Sequence, residues 1–257
     1  MKTVTLKSNL IHVGNLILVN AEYPYRSDIP WQELAPVHAQ TPEIMLNDRV
    51  VRILSCIMQK LHGWDRIKAV SGWRSMEEQI EIYENSLQEN GREFTEKYVA
   101  LPGHSEHQTG LAIDLALNQE HIDFIRPDFP YTGICQDFRQ QALSYGFIER
   151  YPLGRETATG IAHEPWHFRY IGVPHAEIMV KRGFVLEEYI DFLRSCPYGV
   201  SPFLYKTGEG CVSISYQKAD EAEDTRFEVD DRFPYSISGN NIDGFIITQW
   251  RDSDGKQ

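Results

Sequence analysis

The stretch Pro102-Gly-His-Ser-Glu-His-Gln-Thr-Gly-Leu-Ala-Ile-Asp114 leaves this chain little structural freedom. From residue 111 onward Leu111, Ile113, Leu115 and Leu117 alternate with Ala112, Asp114 and Ala116. A period of two marks a β-strand with one broad apolar face and one small, partly polar face. Gly110 permits a bend just ahead of it. Asp114 falls on the alanine face, where something bulky can rest. A lone carboxylate costs several kcal/mol to bury, or is forced neutral, so it needs a partner. A metal ion is one such partner, and His107, seven positions earlier, is a nitrogen donor.

A second stretch, Ile161-Ala-His-Glu-Pro-Trp-His-Phe-Arg-Tyr170, complements the first. It is not the helical His-Glu-x-x-His pattern, which sets two histidines four apart on one helix face. Pro165, between Glu164 and His167, argues against a helix interior. A regular strand would send residues three apart to opposite faces. A turn or bulge leading into a strand at His167 would aim both side chains into one pocket. Two histidines, an aspartate and a further glutamate suit a catalytic zinc: three ligands, an open position and a nearby base. In a chain with nine histidines, structural or surface roles for these residues fit the spacing as well.

Composition narrows the function classes. The chain has 257 residues, 42% of them hydrophobic, and a net charge of −12. That fits one large domain or a domain with an appendage, and argues against nucleic acid or an anionic membrane as a partner. The N-terminus lacks the apolar core of a signal peptide, and no apolar run approaches the roughly 18 residues of a membrane helix. Cys56, Cys135, Cys196 and Cys211 show no paired metal spacing, and Cys56 reads as a small core residue on an apolar helical stripe. Free thiols without an export signal make the cytoplasm the expected compartment.

Along the chain, Leu10 to Val19 reads as a strand or hairpin about Gly14-Asn15. An aromatic, proline-rich loop follows to Pro36. Thr41-Pro42 is expected to open a helix, threonine as cap and proline at the first position. Its core stripe is Val50, Leu54, Ile57 or Met58, and Leu61, and Gly63 ends it. A short strand from Ile67 to Ser71 delivers Gly72 and Arg74. Ser75-Met-Glu-Glu78 has the capping-box form, so a helix starts there and carries Gln79. Further helices are expected over 137–145, from His175 and over 185–193, with a strand over 147–151. Beyond Pro197, runs at 211–216, 226–229 and 244–250 read as a small antiparallel β appendage. The expected division is therefore 1–198 and 199–257.

The motif Ser105-x-His107-x-x-Gly110-x-x-x-Asp114, followed by Glu164-x-x-His167, resembles the zinc D,D-peptidases of the VanY and VanX type. The segment Ser71-Gly-Trp-Arg-Ser75 with Gln79 is similar to that family's Ser-Gly-Tyr-Arg-Ser stretch, with Trp73 at the aromatic position, and the likeness runs from about Asn47 to Pro197. It implies an α+β fold: a central, mainly antiparallel sheet, surrounding helices, and a metal at one end. It implies one zinc ion per chain on His107, Asp114 and His167, with Glu164 as the base. Arg74, by residue type alone a solvated surface charge, is implied to stabilise the oxyanion and contact substrate; Ser105 and Gln79 are implied substrate contacts. The implied substrate is D-Ala-D-Ala, or a peptidoglycan precursor ending in it, and the branch combining dipeptidase and carboxypeptidase activity is the nearest. The same metal motif also serves L,D-carboxypeptidases and wall endopeptidases. A non-catalytic binding protein on the same fold is a third reading, against which Glu164 and Arg74 argue.

Overall fold

The computed structural model describes residues 1–208 and 210–252. The chain forms two units, one spanning Val19–Val185, the other combining Met1–Leu18 with everything from Leu186 onward. The second unit's first strand is β1 (Lys2–Leu6).

The larger unit begins with a hairpin, β2 (Leu34–His38) and β3 (Thr41–Asn47). The expected helix at Thr41-Pro42 is therefore a strand. Proline at the second residue of a hairpin strand costs no helical geometry, and the N-cap signal belongs to Asn47 instead. Its Oδ1 accepts the Arg49 N–H at 3.2 Å and opens α1 (Asp48–Leu61). Val50, Leu54, Ile57 and Met58 form the buried stripe of α1. Cys56 is exposed, contrary to expectation, because two positions beyond Leu54 lies roughly 200° round a helix of 3.6 residues per turn.

Next come β4 (Ile67–Ser71), α2 (Met76–Asn90) and α3 (Arg92–Tyr98). The capping box at the start of α2 forms in both directions, Ser75 Oγ accepting from Glu78 N and the Glu78 carboxylate from Ser75 N. Then follow β5 (Ala112–Leu117), α4 (Gly133–Ser144), β6 (Phe147–Tyr151), the single turn α5 (Glu156–Thr159), β7 (Glu164–Tyr170) and α6 (His175–Arg182). Four of these strands pair antiparallel in the order β4-β5-β7-β6. The large face of β5, Leu111, Ile113 and Leu115, enters a core with the α1 stripe, Phe138 of α4 and Phe168 of β7. Each such fully buried side chain contributes about 1.5–3 kcal/mol. The alanine face is left for the site.

The second unit contains α7 (Leu186–Arg194), β8 (Phe203–Lys206), β9 (Gly210–Lys218), β10 (Thr225–Val229), β11 (Tyr235–Gly239) and β12 (Gly244–Asp252). Strands β11-β12-β9-β8 form an antiparallel sheet, and β1 pairs with β10 from Lys2↔Val229 to Leu6↔Thr225. The expected division at 198/199 thus differs from the two units. Helix α7 packs on β9, with Phe192 edge-on to Phe203 at 5.2 Å, and the first eighteen residues belong with the tail. Nor is Leu10–Val19 a hairpin. A 3₁₀ turn covers Ser8–His12, and Leu16 to Leu18 run beside the β11–β12 turn, Leu16 N donating to Ser238 Oγ and Leu18 N to the Asn240 carbonyl.

Candidate active site

Strand register assembles the site. On the sheet Asp114 of β5 stands directly opposite Ser71 of β4 on one side and His167 of β7 on the other. Directly paired residues point to the same face. Between the pairs Glu149↔Phe168 and Tyr151↔Glu164, Arg150 alone faces Pro165 to His167. This bulge brings Glu164 and His167, three apart, onto one cavity.

His107 arrives from the loop ahead of β5, on a short 3₁₀ turn (Glu106–Thr109). Ser105 caps that turn, its Oγ accepting from His107 N at 3.4 Å. Gly110 ends it at φ +67°, and an added Cβ would lie 3.0 Å from Ile29 Cδ1 and 3.2 Å from Asn47 N. Gly72 is required by close approach: a Cβ there would sit 2.3 Å from the Met45 carbonyl oxygen. Its own carbonyl lies 2.6 Å from His107 Nδ1. With Nδ1 donating there, His107 turns Nε2 inward, 3.2 Å from Asp114 Oδ2. His167 presents Nδ1 to Asp114 Oδ1 at 2.8 Å. One ligand-type atom from each of His107, Asp114 and His167 lies within 4.8 Å of the others. Glu164 is buried beside them, its Oε2 3.9 Å from His167 Nδ1.

Arg74, one residue ahead of the capping box, is aimed by three contacts. Its Nε donates to Ser71 Oγ at 3.0 Å, Nη1 to Gln79 Oε1 at 3.2 Å and Nη2 to Asp114 Oδ2 at 3.3 Å. Gln79, fully buried, also donates to the Ala100 carbonyl at 2.8 Å. It stands behind the guanidinium and does not line the cavity, whereas Arg74, Ser105, His107, Asp114, Glu164 and His167 all do. His104 is turned away, bonding the Asn20 carbonyl at 2.7 Å.

The electrostatics favour a cation. Burial alone would neutralise Asp114, but His107 and His167 hold its carboxyl far below the usual range. Burial also opposes charge on His167, yet Asp114 outweighs it and raises the imidazole to about 9. Burial and then Arg74 push His107 down to about 4. Burial lifts Glu164 to about 8. An ionised aspartate between two histidines whose inward nitrogens converge is a donor set that fits zinc, and Glu164 is a carboxyl beside it with basicity near neutrality.

Reading the sequence left Glu106 unassigned. It is fully buried and lines the cavity next to His167. Arg150 and Arg169, likewise unassigned, both meet it: Arg150 Nε at 2.9 Å and Arg169 Nη1 at 2.8 Å from Glu106 Oε1. The available signal is an arginine inside each of two strand runs, 147–151 and 164–170, since a buried arginine requires an anion beside it.

An antiparallel sheet that carries two histidines and an aspartate at one end, with a buried glutamate beside them, has the make-up of a metal-dependent hydrolase. The family model described as VanY, D-alanyl-D-alanine carboxypeptidase, matches residues 44–173, and the chain belongs to that family. It is 38% identical over 182 residues to the bifunctional D-Ala-D-Ala dipeptidase and D-Ala-D-Ala carboxypeptidase VanXYC of Enterococcus gallinarum, covering 70% of this chain and 96% of that protein. Among solved structures, the vancomycin-resistance D,D-dipeptidase VanXYg, in complex with a D-Ala-D-Ala phosphinate analogue, superposes with a TM-score of 0.93. The two are 48% identical, over 97% of this chain and 99% of that one. A point mutant of the vancomycin-resistance D,D-pentapeptidase VanY from the VanB-type cassette, in complex with Zn(II), matches at a TM-score of 0.55. Identity there is 30%, over 68% of this chain and 98% of that one. Among the described residues no helix is long and apolar enough to cross a membrane.

Proposed function

We propose that this chain hydrolyses the D-Ala-D-Ala peptide bond, in the free dipeptide and at the end of a peptidoglycan precursor, with one zinc ion per chain. The observation that carries this reading is the convergence of His107, Asp114 and His167 donor atoms within 4.8 Å, with Glu164 adjacent but outside the ligand set.

His107 through Nε2, His167 through Nδ1 and Asp114 through its carboxylate would hold the ion. When bound, zinc supplies a Lewis acid that polarises the scissile carbonyl and makes water a usable nucleophile near neutral pH. Glu164 accepts the attacking water's proton and returns it to the leaving amine. Arg74, permanently charged and fork-shaped, faces the developing oxyanion. Ser71 and Gln79 hold the guanidinium in place, so Gln79 contributes by positioning. Ser105 lines the cavity and offers its hydroxyl to the substrate's polar end. The four cysteines are free thiols, which supports a reducing compartment and therefore action in the cytoplasm, before precursor export.

The test is a substrate panel with zinc-loaded full-length protein: D-Ala-D-Ala, a pentapeptide ending in D-Ala-D-Ala, L-Ala-L-Ala, and a tetrapeptide ending in a single D-Ala. Cleavage of the first two, lost on chelation and restored by zinc, is expected. Preference for the tetrapeptide's L,D bond would overturn the reading.

A further inference from the structure

Glu106, Arg150 and Arg169 have side chains with no solvent exposure. Burying three charged groups costs several kcal/mol apiece after relaxation, and well-packed apolar residues in their place are often as stable or more so. Packing alone is therefore a poor reason for the cluster to exist. Its location supplies a better one. Both arginines reach the same oxygen, Glu106 Oε1. The other oxygen, Oε2, lies 3.5 Å from His167 Nε2. Neither Glu106 Oε2 nor His167 Nε2 has a hydrogen-bond partner among the described residues, and both are buried. A buried donor and a buried acceptor left over and facing one another are complementary, and a small ring rotation joins them.

The two histidines are served in mirror fashion. His107 gives its Nδ1–H to the Gly72 carbonyl and keeps Nε2 for the site. His167 must do the reverse, because its Nδ1 is the nitrogen that faces Asp114. Only an acceptor at Nε2 selects that tautomer, and Glu106 is the acceptor within reach. The Tyr151 ring, 5.0 Å from the His167 ring, and Arg150, 4.9 Å over the Tyr151 ring, back the imidazole plane.

We propose that Glu106 is a positioning residue for the metal site: clamped by Arg150 and Arg169 through Oε1, it fixes His167 with Nδ1 turned into the site. The role rests on the ligand assignment proposed above. Glu106 touches neither substrate nor the reacting atoms, and its effect passes through His167.

Zinc affinity of the full-length protein, measured by competition with a chromophoric chelator, tests this without any substrate. Two variants are needed. Glu106→Gln removes the charge at constant size. Glu106→Asp keeps a charge for the arginines but draws the carboxylate back from His167. Thermal unfolding of each metal-free protein reports folding separately. Outer-shell partners of this kind are worth roughly 10–100-fold in metal affinity. Both variants are expected to lose that much, with Glu106→Asp retaining the wild-type melting temperature and zinc-saturated turnover falling less than affinity does. A folded Glu106→Asp protein that binds zinc within threefold of wild type would overturn the role and leave the cluster a purely structural one. Should Glu106→Gln fail to fold, Glu106→Asp decides alone. His167→Ala separates the two levels: unchanged zinc affinity there overturns the ligand assignment and Glu106's role with it. Lost affinity there beside intact affinity in the Glu106 variants overturns Glu106's role only.

Discussion

The two units of this chain bury polarity in opposite ways. In Val19–Val185 the buried polar residues include Glu106, Asp114, Arg150, Glu164 and Arg169. In the other unit the described buried polar residues are neutral: Ser213, Ser215, Thr225, Ser238, Asn240, Asn241, Thr248 and Gln249. Neutral groups are satisfied by backbone pairing and tight turns at small cost. Asn240 shows how: its Oδ1 accepts the N–H groups of Ile242, Asp243 and Gly244 at 2.9–3.0 Å and closes the β11–β12 turn. Buried charge is expensive and collects where chemistry requires it. The contrast places the buried charge in the larger unit, without reference to any motif, and we propose that the smaller is a structural addition.

The sharpest way to break this contrast is to remove a ligand. His107→Ala or His167→Ala should abolish tight zinc binding, read by metal analysis after dialysis, and retention at wild-type stoichiometry would remove that residue from the set. The next effect is on rate. Glu164→Ala should keep its zinc and lose about 10²–10⁴-fold in kcat, the usual range for a general base. Near-normal turnover would rule the role out, and loss of the metal would make Glu164 a ligand.

A buried ionisable group outside the site gives a smaller, pH-dependent effect. Burial pushes His175 down to about 3, so the folded protein refuses a proton that the unfolded chain accepts below about 6.5. Its contribution is fully present above that pH and is lost as pH falls toward 3, at about 1.4 kcal/mol per unit for one proton. Replacing it, as in His175→Gln, should flatten the wild-type stability curve across that window; identical slopes would show that His175 takes up its proton when folded. Smallest is the effect expected in the β unit. Asn240→Ala strands backbone donors and should cost about 1–3 kcal/mol in denaturant unfolding, with zinc affinity and kcat unchanged. A change in either would mean that the smaller unit is not merely structural.

Legibility in the sequence follows the same divide. The capping box at Ser75–Glu78 and the alternation over 111–117 are local signals, and each is found where expected. Of the turn or bulge expected ahead of a strand at His167, a bulge is present, within a strand that already begins at Glu164. The alternation and the bulge place Asp114, Glu164 and His167, whereas His107 is set by the short turn ahead of β5. What was hidden is non-local. The pairing of β1 with β10 joins residues more than two hundred positions apart, and nothing in Lys2–Leu6 announces it. Thr41-Pro42 carries a helix-start signal that hairpin pairing overrides. Glu106 carries no local signal because its partners, Arg150 and Arg169, come from two later strands.

The most direct test is a crystal of the zinc-loaded protein measured at the zinc absorption edge. A single anomalous peak is expected in the chemical unit, bonded to His107 Nε2, His167 Nδ1 and an Asp114 oxygen, with Glu164 uncoordinated. A peak bonded to Glu164 or Glu106, approached by His167 through Nε2, or located in the β unit would contradict the site described.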